Sequence, residues 1–297
     1  ILILIISSIP LTYLIITIKR KIQKKEYTWF KITKGKIILL VIVAYFTYFA
    51  IVNVNKEKGY NKDILEKVTI VTDGKVDEKN EGKIVLVSGK IKYDQLVSFM
   101  ELDESFGTIR ITRKVEDYLK VKDRDGKTET KWVERTEPLK DPGDDYLKTL
   151  VSAEKQSQIY IGDFELDEKG LSLVKADKYY SKQEKIGELI TTGIDYSRDP
   201  HEEDLKVGDM KLTYKYYDLE KHPNMTILAV QKGNSFEPYK VDKKTSVYQV
   251  FTKKVDTKAK LEKELQANVK STIRGKSLFI IMILGLGIFF IVDAKKK

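Results

Sequence analysis

The chain has 297 residues, of which 42% are hydrophobic and 33% are charged, as is usual for a folded protein. Because it contains no cysteine, disulfides, thiolate nucleophiles and cysteine-based metal sites are excluded. The net charge of +10 comes largely from one short basic segment and the last residues, so it indicates membrane topology and argues against a nucleic-acid partner. The chain begins with Ile rather than Met, which indicates a fragment or a processed product.

Three apolar runs predict membrane-spanning helices at residues 1–18, 37–54 and 276–292. None exceeds the roughly 20 residues that a helix needs to cross the hydrocarbon core, but flanking lysines can extend its reach by snorkelling. Residues 19–36 form a basic loop between the first two runs, and residues 293–297 form a basic tail. Because short basic segments stay on the cytoplasmic side, the sequence places both in the cytoplasm and the long central segment outside it.

The basic loop is also the predicted membrane interface. Its cationic side chains are expected to attract anionic lipid headgroups by about 1 kcal/mol each near the surface, with its tryptophan as an interfacial anchor. The predicted interface residues are Lys19, Arg20, Lys21, Lys24, Lys25, Trp29, Lys34 and Lys36.

Residues 55–255 are predicted to form a β-rich extracytoplasmic domain, because short apolar or alternating runs recur between turn residues. The clearest run is Thr108 to Lys122, whose apolar side chains share one face and which leads into an Asp-Gly turn and a returning strand. Arg113 and Asp117 interrupt that face, and we expect them to have a structural role. The predicted strands are Lys83 to Ile91, Thr108 to Lys122, Lys131 to Arg135, Gln158 to Leu166, Lys211 to Leu219, Thr226 to Gln231 and Val247 to Lys253.

Helices are predicted less often in this domain, at Tyr146 to Gln156 and at Lys178 to Leu189. After it, residues 256–275 form an amphipathic stalk helix in which apolar side chains recur every fourth residue. The predicted fold class is therefore an α+β membrane protein. It has a mostly antiparallel, β-rich extracytoplasmic domain with a few helices, anchored by N- and C-terminal transmembrane helices.

The sequence contains no recognisable catalytic constellation. Its two histidines, His201 and His222, lack partners at the spacing of a metal site, and no phosphate-binding or hydrolase motif occurs. The acidic cluster at residues 199–204 and the turn at 141–145 could bind a cation or supply acid and base groups, but solvated loops are the simpler interpretation. We therefore assign no catalytic, cofactor-binding or metal-binding residue, and we expect no cofactor.

Six segments follow one another in a recognisable order and spacing between about residues 81 and 287. They are EGKIVLVSGKI from Glu81, FGTIRITRKVEDY from Phe106 with KWVE at 131–134 after it, IGDFEL from Ile161, VGDMKLTYKYY from Val207, the TILAVQKG–PY pattern ending at Tyr239 and the stalk AKLEKELQANVKSTIRG. Together they resemble the transmembrane protein 43 family, also called LUMA, including its bacterial relatives. The resemblance implies a multi-pass membrane protein whose large extracytoplasmic or lumenal domain organises membrane protein complexes. That family has no established catalytic residues, so the resemblance implies none here.

The sequence thus predicts a membrane-anchored scaffold without catalysis, located at the cell membrane with several crossings. Its expected partners are a bilayer with anionic headgroups, other membrane or envelope proteins, and further copies of itself in a homo-oligomer. The alternative is an envelope hydrolase or a ligand-binding protein that uses the acidic loops. Tyr214 and Tyr216 share one face of a predicted strand, where they would serve either ligand stacking or cross-strand packing.

Overall fold

The computed structural model describes residues 34–140, 145–197, 205–271 and 273–275, with side chains from residue 45 onward. The chain divides into two compact units. Among the described residues, the helical unit comprises those up to Lys67 and those from Thr257 to residue 275, and the β-rich unit comprises those within Val68–Asp256.

The described helices and strands are short apart from one long helix. The helices are α1 (Lys34–Lys67), α2 (Tyr146–Thr149), α3 (Glu168–Leu173) and α4 (258–271). The strands are β1 (Thr69–Val71), β2 (Ile84–Tyr93), β3 (Arg110–Lys122), β4 (Thr128–Glu134), β5 (Ala153–Gln156), β6 (Ile159–Ile161), β7 (Phe164–Glu165), β8 (Lys178–Tyr179), β9 (Lys185–Ile186), β10 (Leu189–Thr191), β11 (Tyr196–Ser197), β12 (Met210–Tyr216), β13 (Asn224–Lys232), β14 (Ser235–Glu237), β15 (Tyr239–Lys240), β16 (Ser246–Val247) and β17 (Gln249–Phe251).

The helical unit contains the predicted amphipathic helix. Leu261, Leu265 and Val269 are all buried on α4, which confirms the apolar stripe read from their four-residue spacing. Asn61 of α1 donates its side-chain amide to the backbone carbonyl of Leu265 at 3.3 Å. The two helices of this unit are therefore joined by a polar contact as well as by apolar burial.

The transmembrane anchors of the predicted fold class are wrong for the part of the chain that the structure describes. No helix in this part is long and apolar enough to cross a membrane. Seven of the twelve residues of α1 from Lys56 to Lys67 are charged. The fold class is corrected to a β-rich unit with few helices; the runs at 1–18 and 276–292 lie outside the described residues.

The first sheet of the β-rich unit has seven strands. Their order is β14-β13-β2-β6-β7, with β1 beside β2 and β17 beside β13. All of these pairings are antiparallel except that of β1 with β2. Ile84 to Val87 lie in the central strand β2 and are all buried, as the apolar run predicts. The Glu165 N–H of β7 donates to the carbonyl of Asn234, the residue before β14, at 2.8 Å, so the two ends of this strand order lie next to each other.

The second sheet has eight strands in the order β4-β3-β12-β11-β10-β9, with β5 beside β3 and β8 beside β12. The predicted β3–β4 hairpin is confirmed, and Asp123 closes its turn by accepting the N–H groups of Asp125 and Lys127 at 2.9 and 2.8 Å. In β12 alternate side chains are buried, including Tyr214 and Tyr216. The shared face predicted for these two tyrosines is therefore confirmed, and it is the face that packs into the core.

Two predicted helices are wrong, one entirely and one in part. Residues 178–189 contain β8, β9 and the start of β10 instead of a helix. Tyr180 is buried in the core of the second sheet, and Gly187, at φ +58°, turns the chain between β9 and β10. In the segment 146–156 only α2 is helical, after an N-cap at Asp145, and the chain then pairs as β5 with β3. In both segments tertiary pairing overrides local helix propensity.

Candidate functional site

A cavity of about 240 Å³ opens beside the second sheet of the β-rich unit. It lies where the loop before β3, strand β8 with the residues after it, and the end of β12 come together. Its floor is aromatic and its rim is charged, a combination typical of sites for small polar ligands. The ionisable lysines and acids in its lining are Asp103, Lys178, Lys182, Asp218 and Glu220.

The floor of the cavity is a cluster of aromatic rings. The centroid of Phe106 lies 4.5 Å from that of Tyr180 and 5.0 Å from that of Tyr216, in edge-to-face geometry. Edge-to-face contacts bring the positive ring edge against the negative ring face, so the rings hold one another in fixed orientations. None of the three residues is more than 8% exposed, which makes the floor a rigid part of the sheet's core.

One side of the rim is an ion pair. Lys178 donates its ammonium group to Asp218 Oδ2 at 2.7 Å, and the Asp218 side chain is only 8% exposed. The hydrogen bond to Asp218, with a further one to Tyr216, raises the pKa of Lys178 above its usual value. The same bond lowers the pKa of Asp218. Both groups are therefore charged at neutral pH and neutralise each other.

The rest of the lining carries charges that are not paired in this way. Lys182 Nζ lies 5.6 Å from the centroid of the Phe106 ring, as in a cation–π contact. Glu220 is exposed at the mouth of the cavity. Asp103 accepts hydrogen bonds from the backbone and hydroxyl of Ser105, and these bonds, with a smaller contribution from the Lys182 charge, lower its pKa.

A polar network lies inside the core of the same sheet. The Glu101 side chain is 3% exposed, forms an ion pair with Arg113, and accepts hydrogen bonds from the hydroxyls of Tyr214 at 2.8 Å and Tyr146 at 3.0 Å. Burial alone would raise the pKa of Glu101, but the hydrogen bonds from Arg113 and Tyr214 outweigh it, so its pKa lies below the usual value. Glu101 is thus an ionised group held entirely by internal donors.

A second buried ion pair joins β3 to the residue that follows β4. Arg135 Nε donates to Asp117 Oδ2 at 2.8 Å, and Arg135 Nη2 contacts Asp117 Oδ1. Arg135 Nη1 also donates to three backbone carbonyls between residues 147 and 150, at 3.0 to 3.2 Å. Arg113 and Asp117, which interrupt the apolar face of β3, therefore have the structural role predicted for them.

Comparison with known proteins bears on the second half of the chain. A match to the family described as Transmembrane protein 43 spans residues 143–293, slightly more than half of the chain. The chain belongs to the transmembrane protein 43 family. The resemblance read from the sequence is confirmed, although the segments that begin at Glu81 and Phe106 precede the matched residues. No curated protein and no solved structure matches the chain.

The transmembrane protein 43 family is membrane-associated, which confirms the coarse location predicted for the chain. Lys34 and Lys36 lie in the first turn of α1, without described side chains. The other predicted interface residues fall before residue 34, outside the described part, so the lipid interface stays a prediction. The acidic cluster at 199–204 and residues 141–144 also lie outside it. Where the structure is described, no group of three metal-ligating side chains occurs.

Sequence reasoning identified part of this family member's cavity. It singled out the tyrosines, but it placed Lys178 and Lys182 on a helix and did not connect either with Phe106. The aromatic pair Tyr179 and Tyr180 is the signal that was available, because aromatic residues favour strands. Strand β8 pairs with β12 and so places Lys178 beside the end of β12. These residues are far apart in sequence, so the aromatic pair could not have predicted that they meet.

Proposed function

We propose that the chain is a membrane-associated interaction protein without catalytic activity of its own. Its β-rich unit would lie on the extracytoplasmic side of the cell membrane and organise membrane or envelope proteins into complexes. Membership in the transmembrane protein 43 family supports the membrane setting. The organising role is supported by the way the β-rich unit uses its buried charges.

One observation carries the proposal. The ionisable side chains buried in the second sheet, Glu101 with Arg113 and Asp117 with Arg135, are bound to each other and to the backbone. A general acid or base must instead reach a substrate, directly or through one water. The buried charges therefore fix strands and loops in place, and we expect the exposed surface to carry the function.

Complex formation is the first test. Full-length chain extracted in mild detergent after photo-crosslinking from position Met100, which is 87% exposed, should be recovered with the same membrane proteins in repeated preparations. The same variant kept in the dark controls for capture that does not depend on crosslinking. Recovery of the chain alone, as a monomer without crosslinked partners, would contradict the proposal.

The acidic cluster separates this proposal from the hydrolase alternative. Replacing Asp199, Glu202, Glu203 and Asp204 together by their amides should leave the set of crosslinked partners unchanged, because a scaffold does not need those carboxylates. Loss of those crosslinks in the substituted chain would show that the function requires the acidic carboxylates and would contradict the proposal.

The side of the membrane can be determined directly. The chain has no cysteine, so a cysteine introduced at Asp125, exposed in the β3–β4 turn, is its only thiol. A membrane-impermeant maleimide should label it on intact cells. Labelling only after the cells are lysed would place the β-rich unit in the cytoplasm and contradict that part of the proposal.

A further inference from the structure

The size of the cavity limits what can occupy it. Its volume of about 240 Å³ corresponds to roughly eight water molecules at about 30 Å³ each. This excludes a nucleotide or a folded partner from the interior and leaves room for a small molecule. The aromatic floor, with Phe106 and Tyr216 in edge-to-face contact, favours a ligand that has an apolar group.

The charges on the rim limit the ligand further. Lys178 and Asp218 neutralise each other. Within the described residues, neither the Lys182 ammonium group nor the Glu220 carboxylate has a hydrogen-bond or ion-pair partner, whereas the Asp103 carboxylate accepts two hydrogen bonds from Ser105. A ligand with a single charge would be attracted by one of these groups and repelled by the other. A ligand that carries both signs would be attracted by both.

We propose that this cavity binds a small zwitterion with an apolar side chain, the chemistry of a free apolar α-amino acid. Lys182 binds the carboxylate of the ligand, Glu220 binds its ammonium group, and the side chain packs on Phe106 and Tyr216. This binding site is separate from the proposed organising role, so failure of either proposal leaves the other standing.

Calorimetric titration of the full-length chain in detergent micelles at pH 7 tests the proposal with four probes. Phenylalanine carries both charges and an aromatic side chain, phenethylamine lacks the carboxylate, 3-phenylpropionate lacks the amine, and glycine lacks the side chain. Phenylalanine should bind at least about tenfold more tightly than each of the other three, because each of them loses a charge-assisted hydrogen bond or the apolar contact.

Single substitutions assign the charges to residues. In Lys182→Met, phenylalanine should lose its advantage over phenethylamine, because the Lys182 ammonium group that binds the ligand carboxylate is gone. In Glu220→Gln, phenylalanine should lose its advantage over 3-phenylpropionate, because the Glu220 carboxylate that binds the ligand ammonium group is gone. Lys92→Met and Glu137→Gln are matched controls at exposed positions outside the lining, and both should retain the full preference for phenylalanine.

The proposal is overturned if millimolar phenylalanine gives no heat of binding. It is also overturned if 3-phenylpropionate binds the unsubstituted chain as tightly as phenylalanine, which would indicate a plain anion site, or if Lys182→Met still binds phenylalanine more tightly than phenethylamine. Loss of the fold does not confound these outcomes, because Lys182 and Glu220 are both exposed and each variant can be checked by its thermal unfolding midpoint.

Discussion

The two sheets of the β-rich unit have cores of different chemistry. The core of the first sheet is mainly aliphatic, with Val85, Ile159 and Ile227 fully buried. The core of the second sheet is rich in aromatic residues, with Tyr180 and Tyr214 among those fully buried. Aliphatic side chains need only close packing, whereas a buried hydroxyl also needs a hydrogen-bond partner. The first core therefore depends on shape, and the second depends on shape and on polar contacts.

The polar contacts of the second core are built from a few shared acceptors. Tyr214 donates to Glu101, while Tyr180 and Tyr196 both donate to Gln183, at 2.9 and 3.2 Å respectively. Because these acceptors lie beside the rings, the core can hold charge and adjoin a charged cavity without leaving its hydroxyls unsatisfied. This difference predicts that a change of shape damages the first core most and a change of charge damages the second most.

The largest effect is expected at a glycine contact in the first sheet. Gly162 lies at φ +64° between β6 and β7, and a Cβ atom added there would lie 2.2 Å from the carbonyl oxygen of Gly74. Gly162→Ala should therefore reduce the free energy of unfolding by about 4 kcal/mol, from the left-handed backbone and the steric clash together. Chemical denaturation followed by tyrosine and tryptophan fluorescence measures the change.

Gly126→Ala is the matched control for that prediction. Gly126 also has a positive φ, +79°, but it lies in the open β3–β4 turn with nothing within 4 Å of an added Cβ. The cost should be only about 1 to 2 kcal/mol, from the backbone conformation alone. Equal destabilisation by the two substitutions would show that the contact with Gly74 does not matter.

The second prediction concerns the buried ion pair of the second sheet. Arg135→Met leaves Asp117, which is 7% exposed, without its cation and frees the three carbonyls that Arg135 binds. Losing one member of a buried pair costs about 3 kcal/mol or more, because the other charge stays desolvated. Urea unfolding at pH 7 should show a loss of about 3 kcal/mol.

A double substitution separates the cost of leaving Asp117 charged and unpaired from the cost of losing the packing of the Arg135 side chain. Asp117→Leu with Arg135→Met should be less destabilising than Arg135→Met alone, since no buried charge is left unpaired. If the double variant is as unstable as the sum of the two single variants, the two side chains act independently and the second core does not depend on charge pairing.

The contrast between the cores also explains what could be predicted from the sequence. Strands β2 and β3 and the β3–β4 hairpin were predicted, because the pattern that indicates each strand lies within a few consecutive residues. That pattern is an aliphatic run at Ile84 to Val87 in β2 and an alternation of apolar and polar residues in β3. The segment 178–189 was predicted as a helix, because its strands form only by pairing with residues more than thirty positions away or through short turns. The burial of Glu101 and Arg135 was not predicted, since a charged residue in a loop or at the end of a strand gives no sign that it will be buried.

The third prediction is the pH dependence of the second core. The pKa of Glu101 is lowered in the folded chain, so the ionised form contributes stability above the unfolded pKa of about 4.3, and that contribution is lost as the pH falls through the folded pKa. Glu101→Gln should cost about 2 kcal/mol at pH 7 and progressively less below about pH 4. Unfolding midpoints measured from pH 7 to pH 3 should therefore converge for the two proteins. A constant difference across that range would contradict the proposed role of the charge.

The smallest effect is expected where the network of the second core reaches the surface. Tyr146 donates to Glu101 from α2, but the residue is 44% exposed, so water can replace its hydroxyl. Tyr146→Phe should cost only about 0.5 kcal/mol, whereas Tyr214→Phe, at a fully buried ring, should cost about 1.5 kcal/mol. Both substitutions remove one hydrogen bond to the same carboxylate, so the ratio of their costs in urea unfolding isolates the effect of burial. If Tyr146→Phe costs as much as Tyr214→Phe, each hydrogen bond to Glu101 contributes equally to the stability of the second core, and burial of the donor makes no difference.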